Sequence, residues 1–547
     1  MEIALRNEIP TYSGGLGILA GDTLRSAADL GLPLVGVTLV SRAGYFRQEV
    51  RDGSQHELPD PWDPSRWGSR LEAKVVVPIE GRDVWVGGWA YELEAHMGGQ
   101  IPVILLDTDL DENAPDERHL TDQLYGGDEA YRLKQEIILG IGGARMLQAL
   151  GFRIRQHHMN EGHAALLALE LMRRRAHPPE HVRPGDSPYD VPGVRAQCSF
   201  TTHTPVDAGQ DKFRYELAQR ILGNFVELPA LKRAAGDDCL NMTRLALNLS
   251  DYVNGVAKRH AETSRGLFPG YRVHAITNGV HPFAWTAPSF VQLYDRALPG
   301  WCHEPELLVR AECCIPDRAI WSAHETAKRH LIDIVQARSG VELDNGVATL
   351  GFARRMTAYK RPDLLFSDLA RLRELSAATP LQVVLAGKAH PRDEDGKRLI
   401  RLLHEHIQAL VPAVRVAYLP NYDMETALAM VAGVDLWLNT PLPPLEASGT
   451  SGMKAAFNGV PSFSVLDGWW LEGCIEGVTG WAIGGADATS DGHAESLYGK
   501  LATTILPLYY SDRPGWIAVM KGAISRNASF FNSHRMMRRY VAEAYVR

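Results

Sequence analysis

Short apolar stretches alternate with longer helix-patterned segments along nearly the whole chain, and this alternation constrains the fold more than any other feature. Strands that alternate with helices form βαβ units, which build a mostly parallel sheet covered by helices. The stretches predicted as buried strands are Leu34–Val40, Ile101–Asp107, Gln197–Thr202, Val347–Phe352, Leu381–Gly387 and Val434–Asn439. The helix-patterned segments include Asp128–Leu150 and Arg318–Ala337.

The alternating pattern occurs as two series, one before and one after about residue 280. Between them, Pro282–Pro316 is rich in Pro, Trp and Cys and has weak periodicity, which places a domain junction near Ile276–Val280. We therefore expect an α/β protein with two doubly wound, Rossmann-like domains, residues 1–277 and 278–547, facing across a cleft. Ligands of such sheets bind beyond the carboxyl ends of the strands, so the loops that follow strands hold the candidate residues.

Composition excludes several classes of protein. The 57 Lys and Arg against 65 Asp and Glu give a net charge of −8, which argues against a dedicated nucleic-acid binder. The longest apolar stretch, Leu30–Val40, carries Gly and Pro and is far shorter than the roughly 18–20 residues of a membrane span. No signal peptide is visible, and the 6 cysteines form no C-x-x-C pair. These features predict a cytoplasmic protein without disulfides, zinc, nucleic-acid partners or membrane partners.

A small-residue loop ending in a lysine, Glu446–Lys454 (EASGTSGMK), follows the predicted strand that ends at Asn439. Its glycine-to-lysine spacing differs from that of a P-loop, but its N–H and hydroxyl groups offer several donors to an anion. Lys454 stands beside Met453 and Ala455. Burial among such neighbours would lower its pKa and suit it to Schiff-base formation. A solvated lysine at a helix N-terminus fits the same residues equally well.

Two other loops that follow strands or precede helices carry candidate ligand groups. The first, Arg354–Arg361 (RRMTAYKR), has 4 cations in eight positions, which suits either a phosphate clamp or a solvated charged face. The second, Ser13–Gly17 (SGGLG), precedes a helical pattern, and its glycines suit either close approach of a ligand or a plain tight turn.

Histidines mark two further loops. His203 follows a predicted strand, where it can donate to a substrate oxygen. The cluster His157–His163 (HHMNEGH) lacks the H-E-x-x-H spacing of a zinc helix, so metal binding is not predicted. The Asn278-Gly279 pair predicts a turn.

These motifs together resemble those of the α-glucan (glycogen, starch and maltodextrin) phosphorylases, in their shorter prokaryotic branch. EASGTSGMK is similar to the family's pyridoxal-phosphate loop, and RRMTAYKRPDLL to its phosphate-site segment. YSGGLGILAGD and FTTHTP are similar to its G-G-L-G loop and its T-x-H-T stretch. The resemblance covers nearly the whole chain and implies a GT-B-type glycosyltransferase fold. It also implies reversible, retaining phosphorolysis of terminal α-1,4-linked glucose to α-D-glucose 1-phosphate with pyridoxal 5′-phosphate.

The resemblance also implies roles for individual residues. Lys454 would be the Schiff-base lysine, Arg355 and Lys360 would hold the substrate phosphate, and Tyr422 and Trp285 would flank the cofactor ring. The residues implied at the cofactor phosphate are Arg354, Thr450, Ser451 and Gly15. Those implied around the glucose are Gly15, Leu16, Glu161, His203, Asn278, Tyr359, Glu446, Ser448 and Gly449. The implied catalytic set is Lys454, Arg355, Lys360 and His203.

The chain departs from the family pattern at three places. Asp423 stands where long relatives carry a basic residue, and Leu442–Pro444 stands where basic residues are expected. The chain opens at Met1–Leu5 (MEIAL), which has the pattern of the end of a strand. We therefore expect a short first strand, a sheet partly unpaired in its middle, and higher stability in a form extended upstream.

Two alternatives remain at this point. A nucleotide-sugar-dependent glucan synthase of the same fold would also use a G-G-L-G loop, but it has no use for a Schiff-base lysine. A catalytically impaired glucan-binding homologue would keep the fold without the reaction. The implied partners are an α-1,4-glucan or maltodextrin, inorganic phosphate and glucose 1-phosphate. The resemblance also allows a homodimer, although no residue pattern fixes an interface.

Overall fold

The computed structural model describes residues 1–183, 186–206, 209–485 and 489–546. The chain forms two compact units. The first contains Met1–Tyr45, Pro59–Ile276 and the C-terminal residues from Met537, and the second contains Phe46–Leu58 and Thr277–Met536. The chain therefore passes between the units at four points, near residues 45, 58, 276 and 536.

The strands are short and mostly buried. In chain order they are β1 (Gly36–Leu39), β2 (Arg47–Arg51), β3 (Ser54–Leu58), β4 (Ser69–Arg70), β5 (Val75–Ile79), β6 (Arg82–Glu94), β7 (Gln100–Asp107), β8 (His157–Asn160), β9 (Cys198–Thr201), β10 (Lys212–Phe213), β11 (Leu240–Asn241), β12 (Tyr252–Gly255), β13 (His274–Ala275), β14 (Ala348–Ala353), β15 (Leu381–Ala386), β16 (Arg415–Leu419), β17 (Leu436–Asn439), β18 (Ser462–Val465) and β19 (Gly480–Ile483). All six predicted strands are confirmed, to within one or two residues at either end.

The helices follow the same alternation. In chain order they are α1 (Gly15–Asp29), α2 (Glu129–Ile137), α3 (Gly143–Ala149), α4 (Leu166–Arg174), α5 (Val191–Arg195), α6 (Tyr215–Leu222), α7 (Leu228–Ala235), α8 (Met242–Asn248), α9 (Lys258–Leu267), α10 (Pro288–Ala297), α11 (Ala311–Cys314), α12 (Asp317–Ser339), α13 (Leu369–Ala378), α14 (Glu394–Leu410), α15 (Met424–Gly433), α16 (Ser451–Ala456), α17 (Trp470–Gly473), α18 (Ser490–Lys500), α19 (Leu506–Ser511), α20 (Arg513–Gly522) and α21 (Ser533–Tyr540). The segment predicted as one helix over Asp128–Leu150 contains α2 and α3, joined by a π-helical turn at Ile138–Gly142.

In the described part of the first unit, a two-stranded pair, β10–β11, accompanies two larger sheets, which replace the single doubly wound sheet expected there. One is a mixed five-stranded sheet with the order β1-β7-β6-β4, in which β5 also pairs with β6. The other has four strands in the order β13-β12-β9-β8, all parallel. The antiparallel pairing arises because only five residues separate β6 from β7, which is enough for a hairpin but too few for a crossover helix.

Met1–Leu5, expected to be the end of a strand, is buried but forms no strand. Its backbone bonds go to loop and helix residues and to the Thr38 hydroxyl of β1, which donates to the Met1 carbonyl at 2.7 Å, but not to the backbone of a strand. The Ile3 amide donates to the Thr11 carbonyl at 3.0 Å, and the Ala4 amide donates to the Gly17 carbonyl at 2.8 Å.

The second unit is built on a six-stranded parallel sheet with the order β16-β15-β14-β17-β18-β19. Relative to the chain this is the order 3-2-1-4-5-6 of a doubly wound sheet. The central strands β14 and β15 are buried at every position, as expected for a sheet with helices on both faces. The strand order reverses between β14 and β17, and at such a switch point doubly wound sheets bind ligands beyond the carboxyl ends of their strands.

A small antiparallel hairpin, β2–β3, completes the second unit. In the part of the chain that the structure describes, every helix is too short or too polar to span a lipid bilayer.

Candidate active site

The loops that follow β14 and β17 are joined by hydrogen bonds at the point where the strand order reverses. The Thr440 hydroxyl donates to the carbonyl of Lys360 at 3.0 Å, and the Leu442 amide donates to the carbonyl of Tyr359 at 2.8 Å. The Arg361 guanidinium donates to the Thr440 carbonyl at 2.9 Å. The Leu442–Pro444 turn, where basic residues were expected, therefore serves to hold the loop after β14.

Three charged side chains from these two loops form a buried cluster. Arg354 donates to both carboxylate oxygens of Glu446, at 2.8 and 2.9 Å, and the Lys360 amine lies 2.5 Å from Glu446 Oε2. Burial acts to raise the pKa of Glu446, but the charges of Arg354 and Lys360 outweigh it and hold that pKa at about 2. Burial and the charge of Arg354 lower the pKa of Lys360. With two cations and one carboxylate, the cluster favours an added anion.

The cations of Arg354–Arg361 therefore do different things. Arg354 and Lys360 turn to Glu446, whereas Arg361 binds backbone carbonyls and Arg355 is exposed. The hypothesis of a single solvated charged face is wrong for three of the four, because their side chains are engaged within the fold.

Lys454 is buried, with 7% of its surface exposed, and its Nζ lies 3.5 Å from the centroid of the Trp285 ring. The side-chain amide of Asn458 donates to the carbonyl of Trp285 at 2.7 Å and to the carbonyl of Lys454 at 3.1 Å, which fixes the two residues to each other. Met453 and Ala455 are also fully buried. Of the two hypotheses for this lysine, the structure supports the buried amine and rejects the solvated one.

Two polar atoms of these loops, the Ser448 and Thr357 hydroxyls, are buried without a hydrogen-bond partner in the described residues, as is Asn278 Oδ1 elsewhere in the second unit. Buried polar groups are nearly always paired, so unpaired ones mark places where a polar ligand such as a sugar would supply the partner. Gly449, with φ of 76°, provides the left-handed turn between Ser448 and the start of α16.

The remaining residues predicted in this unit are also engaged in the fold. The Ser451 hydroxyl accepts a hydrogen bond from the Trp437 indole at 3.0 Å, and the Tyr359 ring centroid lies 4.5 Å from the Lys360 amine. Tyr422 is partly buried and packs against a hydrophobic core cluster of the second unit. Asp423, noted as a departure from the family, caps α15 by accepting from the Thr426 amide at 2.8 Å. That local bond accounts for an acidic residue at this position.

In the first unit, Glu161 and His203 follow the neighbouring strands β8 and β9. The Glu161 carboxylate accepts hydrogen bonds from the His203 amide at 2.5 Å and the Thr204 hydroxyl at 2.9 Å. His203 Nε2 lies 2.6 Å from Asn160 Oδ1. Burial lowers the pKa of His203 to about 3 and raises the pKa of Glu161. His203 is therefore a neutral imidazole that donates from Nε2 to Asn160.

Gly15 and Leu16 begin α1 in the same unit. Neither Gly14 nor Gly15 has a heavy atom within 4 Å of the place where a Cβ would stand, so the loop has room beside its backbone. The Glu2 carboxylate accepts from the Ser13 amide at 2.6 Å and from the Gly14 amide at 3.2 Å.

The sequence patterns did not indicate three charged residues that lie beside the His157–His163 segment, namely Arg132, Glu136 and Asp211. Arg132 forms ion pairs with Glu136 at 3.1 Å and with Asp211 at 3.0 Å, and Asp211 also lies 3.0 Å from His163 Nδ1. Glu136, His163 and Asp211 hold their ligand atoms within 4.8 Å of one another, and the guanidinium of Arg132 forms ion pairs with both carboxylates. Arg132 and Asp211 are 79 residues apart, so no local pattern could have paired them.

Asp467 was also missed, although a signal existed, because it follows β18 in the same way that the predicted residues follow β14 and β17. Its carboxylate accepts from the Glu446 amide and from the Gly468 amide, each at 2.9 Å. Burial, opposed in part by these two hydrogen bonds, raises the pKa of Asp467 to about 6. Asp467 therefore holds the backbone of Glu446 while Arg354 and Lys360 hold its carboxylate.

Comparison with known families identifies the chain. The family described as Phosphorylase (carbohydrate phosphorylase) matches residues 7–88 and 210–476, which is more than half of the chain. This chain belongs to the carbohydrate phosphorylase family. The matched residues of this carbohydrate phosphorylase include both loops of the second unit described above, whereas Glu161 and His203 lie between the two matched segments.

Individual relatives support the assignment over the full length of the chain. A maltodextrin phosphorylase of Thermococcus litoralis is 39% identical over 590 aligned positions, which cover 100% of this chain and 70% of the relative. A glycogen phosphorylase of Mycobacterium tuberculosis is 37% identical, with the same coverage. A glycogen phosphorylase of Aquifex aeolicus is 34% identical and is covered over 85% of its length.

Proposed function

We propose that this carbohydrate phosphorylase is an α-1,4-glucan phosphorylase that acts with retention. In the reaction, the bond between C1 of the terminal glucose and the oxygen of the next glucose breaks. C1 bonds to an oxygen of inorganic phosphate, and the leaving oxygen takes up a proton, giving α-D-glucose 1-phosphate and a shortened glucan. The observation that carries the proposal is the buried Lys454 amine against Trp285, in the same unit as the Arg354–Glu446–Lys360 cluster. The names of the relatives agree with it.

The residues present fit pyridoxal 5′-phosphate. Lys454 offers a primary amine that is shielded from water beside a flat aromatic ring, which suits a covalent link to an aldehyde-bearing ring. We propose that Trp285 and Tyr422 flank the ring of the cofactor. The residues proposed to hold its phosphate are Arg354, Thr450, Ser451 and the Gly15 backbone. When bound, the cofactor supplies a phosphate group that exchanges a proton with the substrate phosphate.

The cations of the Arg354–Glu446–Lys360 cluster would offset the repulsion between two bound phosphate groups. Two phosphate groups held close together repel each other, and that repulsion grows as water is excluded. Arg354 and Lys360 place two positive charges at the switch point of the sheet, and exposed Arg355 adds a third from the same loop. We propose that Arg355 and Lys360 bind the substrate phosphate, while Glu446 keeps Arg354 and Lys360 in fixed positions.

The residues proposed to contact the glucose are Gly15, Leu16, Glu161, His203, Asn278, Tyr359, Glu446, Ser448 and Gly449. His203 is neutral and so acts as a hydrogen-bond donor or acceptor rather than as a charge. A GT-B arrangement of two Rossmann-like domains, divided at residues 277 and 278, and a homodimer belong to the same proposal.

The test is release of glucose 1-phosphate from maltodextrin and inorganic phosphate by the purified protein supplied with pyridoxal phosphate. Release that requires both phosphate and the cofactor supports the proposal. Glucan elongation from a nucleotide sugar without phosphate would instead assign the synthase reaction. Glucan binding without either reaction would show an impaired homologue.

A further inference from the structure

The β2–β3 hairpin carries two buried glutamines whose role the proposed reaction does not explain. Gln48 is 2% exposed and Gln55 is 7% exposed. A primary amide has two donors and two acceptor lone pairs, so its burial requires several well-placed partners. Apart from bonds within the hairpin, the partners of both side chains lie in loops that follow strands of the six-stranded sheet.

Gln48 joins two of those loops. Its backbone amide donates to Asn421 Oδ1 at 3.1 Å, and its Oε1 accepts from the Asn421 amide at 2.9 Å, which makes a reciprocal pair. Its Nε2 donates to the Gly387 carbonyl at 2.9 Å and to Gln55 Oε1 at 2.8 Å. Asn421 follows β16 and Gly387 follows β15, so one side chain fixes the separation of the two loops.

Gln55 and a backbone carbonyl of the hairpin strengthen the same attachment. The Gln55 amide donates to the Ala389 carbonyl at 3.0 Å and accepts from the Ala389 amide at 2.9 Å. The Lys388 amine donates to the Phe46 carbonyl at 3.0 Å. Residues 387–389 are therefore bound to the hairpin at three consecutive positions.

The loop that the hairpin holds lies directly against the arginines of the candidate site. The Arg354 amide donates to the Ala386 carbonyl at 3.2 Å, and the Met356 amide donates to the Lys388 carbonyl at 3.0 Å. Gly387 has φ of 152°, and a Cβ there would lie 2.0 Å from the Arg354 carbonyl oxygen. The two backbones are therefore in direct contact, and a shift of one loop must move the other.

The second loop leads to the proposed cofactor site. Asn421 has φ of 54° and immediately precedes Tyr422, proposed to flank the cofactor ring. Because φ is positive at Asn421, the path of the chain into Tyr422 depends on the bonds that hold this residue.

We propose that Gln48 is a positioning residue that sets the phosphate-binding arginines and Tyr422 relative to each other. The inference rests on the proposed function, which assigns these arginines to phosphate binding and Tyr422 to the cofactor. The contacts of Gln48 are independent of that assignment. No contact of Gln48 with substrate or cofactor is proposed. It acts through Gly387 on Arg354 and Arg355, and through Asn421 on Tyr422.

The test compares Gln48→Met with Gln382→Met in the full-length holoenzyme. Methionine preserves the side-chain volume and removes the amide. Gln382 is an equally buried glutamine at the opposite end of β15, where it donates to the Asp344 carbonyl at 2.8 Å and accepts from the Asp344 amide at 3.0 Å. Both variants should lose stability, but only Gln48→Met should change the site.

In Gln48→Met we expect the KM for phosphate to rise about tenfold, because small displacements of positioned groups are costly, while the KM for maltodextrin changes less than about twofold. The rise in Tm that inorganic phosphate gives the protein should shrink in parallel, and the absorbance band of the bound cofactor should shift. Gln382→Met should leave all three at wild-type values.

A second variant covers the case in which Gln48→Met does not fold. Asn421→Gly keeps the positive φ, removes the acceptor for the Gln48 amide, and should give the same shift in phosphate dependence. Wild-type phosphate KM and a wild-type phosphate-induced rise in Tm in Asn421→Gly would overturn the inference. If the wild type shows no phosphorolysis, the proposed function fails, and the phosphate-induced rise in Tm still decides the role of Gln48.

Discussion

The Lys454 amine rests on the face of the Trp285 ring, 3.5 Å from its centroid, although the two residues are far apart in the chain. The aromatic face attracts a cation, and burial at 7% exposure limits the access of water to the amine. Asn458 bonds to the carbonyls of both residues, so their geometry is fixed by the fold rather than by the flexible lysine chain. This arrangement supports the proposed covalent attachment of pyridoxal phosphate to Lys454.

Replacing Lys454 tests the proposed attachment of pyridoxal phosphate. Lys454→Ala should abolish the covalent attachment of pyridoxal phosphate and reduce phosphorolysis to background, because the amine held against Trp285 is removed. Borohydride reduction of the wild type followed by peptide mapping should place the pyridoxyl group on Lys454. Lys521→Met, which removes another buried lysine of the second unit, should retain the cofactor. A label on Lys360 or Lys388 would contradict the assignment.

Arg355 tests the binding of phosphate. A charge-assisted hydrogen bond contributes roughly 1.5–3 kcal/mol, or about 10–150-fold in affinity, so Arg355→Ala should raise the KM for phosphate by that factor. The KM for maltodextrin should stay near the wild-type value. Arg398→Ala removes an equally charged side chain that is 70% exposed and paired only with Asp395, and should change neither constant. A wild-type phosphate KM in Arg355→Ala would show that this arginine is only a solvated charge.

Glu446 tests the electrostatics of the cluster. Glu446→Gln removes the anion between Arg354 and Lys360, and breaking a buried pair of this kind costs about 3–5 kcal/mol. Calorimetry at pH 7 should therefore show a lower Tm. The pKa of Glu446 in the folded protein is about 2, below its ordinary value of 4.5. The ionised Glu446 therefore stabilises the fold fully above pH 4.5, and this stabilisation is lost as the pH falls towards 2. The difference in Tm between wild type and variant should close over that range.

An exposed ion pair provides the control for this experiment. Glu495 pairs with Arg371 at 2.6 Å, but its side chain is 71% exposed. Glu495→Gln should leave the Tm nearly unchanged, because water already screens the pair. Equal effects of the two substitutions would show that burial does not strengthen the Glu446 cluster.

Replacing His203 tests its effect on stability and its proposed contact with the glucose. Burial lowers its pKa to about 3 from the ordinary 6.5, so the neutral ring stabilises the fold fully above pH 6.5 and progressively less as the pH falls towards 3. His203→Asn cannot take up this proton and should lose less Tm than the wild type between pH 6.5 and 4. It should also lower kcat/KM for maltodextrin at saturating phosphate. His119→Asn, at a 73% exposed histidine, should reproduce neither effect.

The local patterns predicted much of the second unit correctly. The runs Val347–Phe352, Leu381–Gly387 and Val434–Asn439 became three neighbouring strands of its sheet, because a strand buried on both faces must be apolar throughout. The same patterns placed Arg354 and Glu446 after strands that turn out to be adjacent. The assignment to the carbohydrate phosphorylases, expected from the resemblance, is confirmed by the family match.

Other features had no local signal. The N-terminal half was expected to form one doubly wound sheet, but the β6–β7 hairpin gives a mixed sheet there, and Met1–Leu5 is buried without pairing with the backbone of a strand. The sequence also does not indicate that β2 and β3 belong to the second unit. Hydrophobic periodicity predicts which face of a strand is buried, but not which other segment covers that face.

The sequence by itself determined the class of fold, the positions of the site loops along the chain and the types of group they carry. Those depend on periodicity and on residue chemistry, which act over a few neighbouring positions. Only the tertiary structure decided that Glu446 pairs with Arg354 and Lys360, that Lys454 lies on Trp285, and that a distant hairpin supports the arginine loop. These contacts join segments far apart in the chain, and packing of the whole sheet must bring them together before their charges and hydrogen bonds can act.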